Sequence, residues 1–439
     1  MNRNRGLLLA LMLAAGCANN PGPVPQAPDS EIRYVPGQVI VKYREGMEPQ
    51  LRASTFKQVL SGGEVLLEDA SRSADQDAVF NWLHELRQNP AVEYAQPNYI
   101  YQAQLTPNDE FYASQWHYPL INLPQAWDKT TGDNSVVIAV IDSGSSKHPD
   151  LQGQWLPGYD FTQTEICDIT GCLPHSGDGD GPDPEASDLS DFRHGTHVAG
   201  TIAALSNNRI GVAGICWHCR ILPVRVLGLQ GTGDTKDLAN AVRWAAGLTV
   251  FGVPKNYNPA RVINLSLAGP VRAPCAQGDP AMAKAIQDAR AAGAVVVVAA
   301  GNFNAEAANY SPSSCAQAVT VAAVDLSGKL ADYSNFGEYV DIAAPGGDVS
   351  ENLDQDQHVD GVLSTFWGRW DGFNYSFLEG TSMASPHVAG VIGLMLSQNP
   401  ALTPAEIETK LATSTQPLSN SACRGGCGAG LIDAAAALR

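Results

Sequence analysis

The sequence predicts an α/β protein with a mainly parallel sheet, preceded by a small α+β unit. Three observations carry that prediction. Short apolar, β-branched runs alternate with amphipathic stretches over most of the chain, and that alternation is the signature of a parallel sheet covered on both faces. The first hundred residues show strand-type alternation around a single amphipathic helix. Finally, 439 residues with 44% apolar and 16% charged side chains are enough to bury a large core, so long disorder is excluded.

Taken from the amino end, Arg3 and Arg5 precede an apolar run from Leu7 to Ala15. That run is too short to span a bilayer and reads as an export signal over residues 1–18. It ends in Leu13-Ala14-Ala15-Gly16-Cys17, similar to a bacterial lipobox with Cys17 as the lipidated residue; an ordinary secretory signal cut near Ala18 is the alternative. Residues 19–30, rich in Pro and Asn, form a flexible linker. A unit over 31–105 follows, with strands at Val39–Tyr43, Val65–Leu67 and Val92–Tyr94. Its helix covers Ala78–Leu86, where Val79, Trp82, Leu83 and Leu86 share one face.

A junction at Thr106-Pro107-Asn108-Asp109 opens the main domain, 106–439. Buried strands are expected at Val136–Ile141, Ile221–Leu227, Val262–Leu267, Ala294–Ala300 and Ala318–Val324, with helices at Leu238–Ala246 and Ala281–Ala292. Functional residues of such a sheet gather at the carboxyl ends of its strands. Met383 to Leu396 is too uniformly apolar for a surface helix and reads as a buried central one, kept thin by Ala384, Ala389, Gly390 and Gly393. Ser382 stands at its amino end, and Pro386 is expected in its first turn, where a missing N–H costs nothing.

The formal charge of −18 disfavours nucleic acid and anionic membranes as partners. Membrane contact is expected only through an N-terminal lipid, and the chain is expected to be a monomer. Of the nine cysteines, Cys17 stands apart; the remaining eight, in an exported chain, suggest disulfides. Spacing does not determine their connectivity. Nearest-neighbour pairing, Cys167 with Cys172, Cys216 with Cys219, Cys275 with Cys315 and Cys423 with Cys427, is the expectation.

Chemistry is carried by Asp142-Ser143-Gly144, His194-Gly195-Thr196-His197 and Gly380-Thr381-Ser382-Met383-Ala384-Ser385-Pro386, in that order. A serine hydroxyl is a weak nucleophile until a histidine takes its proton, and the imidazole needs a carboxylate to orient it. The order Asp, His, Ser differs from the two other scaffolds that carry this set. Free N–H groups at the head of the 383–396 helix favour an oxyanion beside Ser382. Asn302, after the run Val295–Gly301, is the candidate second donor. Spacing leaves open whether His194 or His197 meets Asp142. A zinc protein using His194, His197 and Cys216-Trp217-His218-Cys219, and a non-catalytic binding module, are the competing readings.

Together with Ala300-Gly301-Asn302, these segments resemble the subtilisin-like serine proteases, the subtilase family, from about Thr106 to the carboxyl end. The resemblance implies a subtilisin-like three-layer fold and a serine endopeptidase acting on protein or peptide substrates. It makes Asp142, His194 and Ser382 the catalytic set with Asn302 in the oxyanion hole, and leaves His197 and His387 as structural residues. It implies that the strand Ile263 to Gly269, with Ser266, Leu267, Ala268 and Gly269, pairs with substrate, and that Ser266 to Ala268 with Asn309 and Tyr310 border the primary pocket. By resemblance to thermitase-like members, a structural Ca2+ would be held by Asp109, Asp150 and Asn208 with the carbonyls of Leu205, Ile210 and Val212, and Arg209 would point outward. The stretch Asp178, Asp180, Asp183, Asp188 is either a second ion site or a solvated acidic loop. The 31–105 unit resembles the family's propeptide, an intramolecular inhibitor removed by cleavage within Tyr99–Leu105.

Overall fold

The computed structural model describes residues 34–47, 56–72, 76–100, 105–169, 171–190, 193–356, 358–368, 372–423 and 425–439. The export signal, the linker, Cys17 and part of the expected cleavage window lie outside them. The chain forms two compact units that divide between Ala103 and Gln104.

In the first unit, strands β1 (Tyr34–Tyr43), β2 (Phe56–Val59), β3 (Val65–Glu68) and β4 (Val92–Tyr99) make an antiparallel sheet ordered β2-β3-β1-β4, and α1 is Gln76–Arg87. Val79, Trp82 and Leu83 of α1 close a core with Val39, Val41, Val65 and Leu67. That is the sheet-plus-helix packing that the alternation predicted, with β2 added.

The second unit opens with the short helices α2 (His117–Leu120) and α3 (Leu123–Trp127). Strand β5 is Val137–Asp142, followed by β6 (Tyr159–Asp160) and a hairpin of β7 (Glu165–Asp168) and β8 (Gly171–Pro174). Then come α4 (His194–Ala203), β9 (Arg220–Arg225), α5 (Thr235–Ala245), β10 (Val262–Leu265), β11 (Gly269–Pro270), α6 (Cys275–Gly278) and α7 (Pro280–Ala291). The remainder is β12 (Val295–Ala299), β13 (Tyr310–Ser311), β14 (Ala318–Val324), β15 (Ile342–Pro345), the β16 (Val362–Gly368) and β17 (Gly372–Leu378) hairpin, α8 (Thr381–Gln398), α9 (Pro404–Thr413) and α10 (Ala434–Ala437).

Seven parallel strands order as β15-β14-β12-β10-β5-β9-β6. Side chains alternate between two cores, as a period of two requires. Ile138, Val140, Val295 and Val297 face α4 and α8, while Ala139, Ile141, Val296 and Val298 face α5 and α7. Helix α8 is apolar all round because it is enclosed. Asp234 and Asp279 set the starts of α5 and α7 by accepting the N–H groups of Asp237 and Met282. All four expected cysteine pairs are bonded in the structure.

Pro386 departs from expectation. It is the sixth residue of α8, beyond the first turn, so its missing N–H frees the Ser382 carbonyl. Ser266 Oγ donates to that carbonyl at 2.8 Å and meets Ser385 Oγ at 2.9 Å. The proline is tolerated because a neighbouring side chain supplies the lost donor. Among the described residues, no helix is long and apolar enough to cross a membrane.

Candidate active site

Sequence order within the sheet reverses between β5 and β10: β9 and β6 lie on one side, β10, β12, β14 and β15 on the other. A cleft of about 320 Å³ opens at these carboxyl ends, lined by Ser143 after β5, Ser266–Ala268 after β10, and Gly301–Phe303 after β12. His194 and Ser382, the heads of α4 and α8, complete it. Ligands of open α/β sheets bind at such a reversal.

Asp142 is fully buried, and its two carboxylate oxygens each lie 2.9 Å from His194 Nδ1. A carboxylate only accepts, so Nδ1 carries the proton and Nε2 keeps its lone pair. The approach depends on Gly195, because a Cβ there would collide with the Gly144 carbonyl. Ser143 secures the same junction: its N–H donates to Asp142 Oδ1 at 2.7 Å and its Oγ accepts the Gly195 N–H at 2.9 Å. Burial works against the His194 imidazolium, but the charge and hydrogen bond of Asp142, with the charge of Asp188, outweigh it and raise His194 above the ordinary 6.5.

The structure separates the two histidines that spacing left open. His197 is buried with Nε2 on the Ser376 carbonyl at 2.9 Å, and burial pushes it down to about 3. His387, pushed down by burial to about 4, bridges the Met383 carbonyl and His117. Cys216 and Cys219 are joined to each other, so their sulfurs are not available to zinc.

Ser382 is the second residue of α8, where helix N–H groups have no partner within the helix. Its Oγ donates to the Ser266 carbonyl at 3.0 Å, and His194 lines the same cleft. Asn302 Oδ1 accepts both the N–H and the Oγ–H of Thr381, each at 2.8 Å. That orients the Asn302 amide and leaves Nδ2 as its donor. Gly380, at φ 143°, stands beside this donor: a Cβ there would lie 3.1 Å from Asn302 Nδ2 and 3.6 Å from Ser382 N. Glycine keeps open the space between two N–H donors, as an anion cradle requires.

Ser266, Leu267 and Ala268 line the cleft, although the Ser266 hydroxyl is committed to α8. Gly269, Asn309 and Tyr310 are not brought to its lining. Gly269 and Tyr310 belong to the paired strands β11 and β13, and the Asn309 carbonyl accepts the Val271 N–H. Tyr310 stands behind Phe303, stacked on it at 4.7 Å. Phe303, unread in the sequence, is 56% exposed and lines the cleft itself. Its place directly after Asn302 was the available signal.

Asp109 and Asp150 are buried, and among the described residues neither forms an ion pair. Burial raises Asp109; it pushes Asp150 up to about 6, with the charge of Asp109 adding to the effect. Asp109 Oδ2 accepts the Asn207 N–H at 2.7 Å, and Asp150 Oδ2 accepts the Val212 N–H at 2.9 Å. Two desolvated carboxylates beside a carbonyl-rich loop suit a hard, oxygen-seeking dication. Asn208 departs in one respect: Nδ2 faces Asp150 at 2.8 Å, while Oδ1 accepts the Ile210 N–H. Arg209 is exposed. The acidic stretch does not form one ring. Asp178 and Asp160 share buried Arg225, whereas Asp188 accepts from Ser143 Oγ at 2.6 Å and from Ser190.

Residues 133–430 match the subtilase family model. An extracellular protease of Xanthomonas campestris is 41% identical over 390 residues, 84% of this chain; the chain spans 63% of that protein's length. Thermitase of Thermoactinomyces vulgaris is 36% identical over 295 residues, covering 67% of this chain and 86% of its own. A solved protease structure from Pseudoalteromonas arctica superposes with a TM-score of 0.68 at 42% identity, over 76% of this chain and 99% of that one. With the cleft, the Asp142–His194 pair and Ser382 at a helix head already in place, the match completes the assignment: this chain belongs to the subtilase family of serine proteases.

Proposed function

We propose that the chain is an exported serine endopeptidase that hydrolyses extended protein or peptide substrates and is activated when its N-terminal unit is removed. The observation that carries this reading is the His194 imidazole, held through Nδ1 by Asp142 in the same cleft as Ser382 and Asn302. Ser382 Oγ attacks the peptide carbonyl as His194 Nε2 takes its proton, and His194 then returns that proton to the leaving amine. Asp142 holds the imidazole in the required tautomer and offsets its transient charge. The Ser382 N–H and Asn302 Nδ2 receive the oxyanion, while the Gly380 φ leaves room for it.

Substrate backbone pairs with the segment after β10, so affinity comes from main-chain hydrogen bonds and selectivity from the pocket. Among the described lining residues there is no Asp, Glu, Lys or Arg, which favours uncharged side chains at the cleavage point. Calcium, held by Asp109, Asp150 and Asn208 with the carbonyls of Leu205, Ile210 and Val212, would neutralise buried charge and brace its loop. The first unit serves as inhibitor until it is cut off, and a lipid on Cys17 would anchor that unit rather than the protease.

A fluorophosphonate probe should label Ser382, and the wild-type chain should cleave casein and release its own N-terminal unit. Ser382→Ala should abolish labelling, cleavage and release. Casein hydrolysis by Ser382→Ala at the wild-type rate overturns the reading.

A further inference from the structure

We propose that Tyr333 is a positioning residue for the oxyanion cradle, fixing the loops that carry its two N–H donors against each other. This inference rests on the protease reading above. The cradle is split between two segments distant in sequence: the loop after β12 carries Asn302, and the turn before α8 carries Gly380 and Ser382. Tyr333 touches both. Its carbonyl accepts the Asn304 N–H at 2.8 Å, two residues beyond Asn302. Its hydroxyl accepts the Gly380 N–H at 3.0 Å, two residues before Ser382, and donates to the Gly347 carbonyl at 2.6 Å.

Those contacts act on the atoms that matter for transition-state charge. The Gly380 N–H is shared with the Gly346 carbonyl at 3.0 Å, so the phenol helps set the tilt of the peptide next to the cradle. A small rotation of that peptide moves the Ser382 N–H relative to Asn302 Nδ2, and oxyanion donors are effective only within a narrow distance range. Neighbouring Asn335 holds the Asn302 loop from behind: its Nδ2 donates to the Ala300 carbonyl and its Oδ1 accepts the Phe303 N–H. Tyr333 extends that backing across to the nucleophile turn. Burial keeps its phenol well above the usual tyrosine range, so it remains a protonated donor. Tyr333 is absent from the cleft lining, so it acts through the donors and not on substrate.

The test is Tyr333→Phe, made in the wild-type and Asn302→Ala backgrounds and normalised by fluorophosphonate titration of active sites. Loss of the hydroxyl should lower kcat by about 5- to 10-fold with KM unchanged within about twofold, as removal of a transition-state interaction requires. Affinity for a peptide boronate should fall by the same factor. In the Asn302→Ala background the further loss should shrink to less than about twofold, because the cradle is already incomplete. An equal loss in both backgrounds, a raised KM at unchanged kcat, or an unchanged kcat each overturns the proposal. If Tyr333→Phe folds only in part, normalisation to titrated active sites confines the same comparison to the folded fraction. A wild-type chain that neither labels nor cleaves would instead defeat the parent reading.

Discussion

His194 concentrates the chemistry of the cleft in one titration. Its imidazole is raised because Asp142 and Asp188 favour its charged form by more than burial opposes it. The proton-accepting form is the neutral one, so activity should rise with pH through a midpoint above 6.5. Asp142→Asn should bring any residual activity's midpoint down, and kcat/KM against pH measures both. A wild-type midpoint below 6.5 would contradict the geometry. His197 should leave this limb unmoved, since it stays neutral over the same range. At this scale the sequence singled out Asp142, Ser382 and Asn302, the residues proposed as acid, nucleophile and oxyanion donor, because each sits in a distinctive short string. It could not choose between His194 and His197 by spacing, nor foresee Phe303 and Tyr333, whose roles arise from residues far away in the chain.

Elements meet where side chains are missing. The head of α4 reaches the end of β5 because Gly195 has no Cβ, and that approach sets the 2.9 Å contact between Asp142 and His194. Gly195→Ala should push the helix outward, costing about 1–3 kcal/mol of stability and at least about tenfold in kcat/KM. Thermal unfolding and steady-state kinetics check it; unchanged values for both would show that another contact sets the distance. Buried strands and the 238–246 and 281–292 helices were legible, since β-branched runs and helical spacing are local signals; the Asp234 and Asp279 caps were not read. The β16–β17 hairpin was not read. Its value is tertiary: Thr365 Oγ1 and Ser364 Oγ donate to the Thr196 and His197 carbonyls of α4, and the Ser376 carbonyl holds His197. Pro386 likewise looked harmless by position and proved to need Ser266.

For the whole molecule, buried ionisable groups set the response to pH and metal. His197 and His387 are depressed to about 3 and about 4 by burial. The unfolded chain takes up these protons near 6.5, so this contribution to stability is full above 6.5 and is lost as pH falls toward those values. Melting temperature should therefore drop between about pH 6 and 4, and a flat profile would refute the linkage. The proposed calcium would act on Asp109 and Asp150, which are buried and form no ion pair among the described residues. Chelation should lower the melting temperature by several degrees, and Asp150→Asn should abolish most of that difference. Equal melting with and without chelator would count against the site. By itself the sequence determined the α/β class, the buried central helix and the family it resembles, and it marked the residues proposed to react, because periodicity and short motifs are local properties. Only the tertiary structure decided which histidine meets Asp142, which way Ser382 and Asn302 face, and which tyrosine hydrogen-bonds both the loop after β12 and the turn before α8. Those depend on close approach between segments separated by many residues, where a missing Cβ or one shared hydrogen bond selects the geometry.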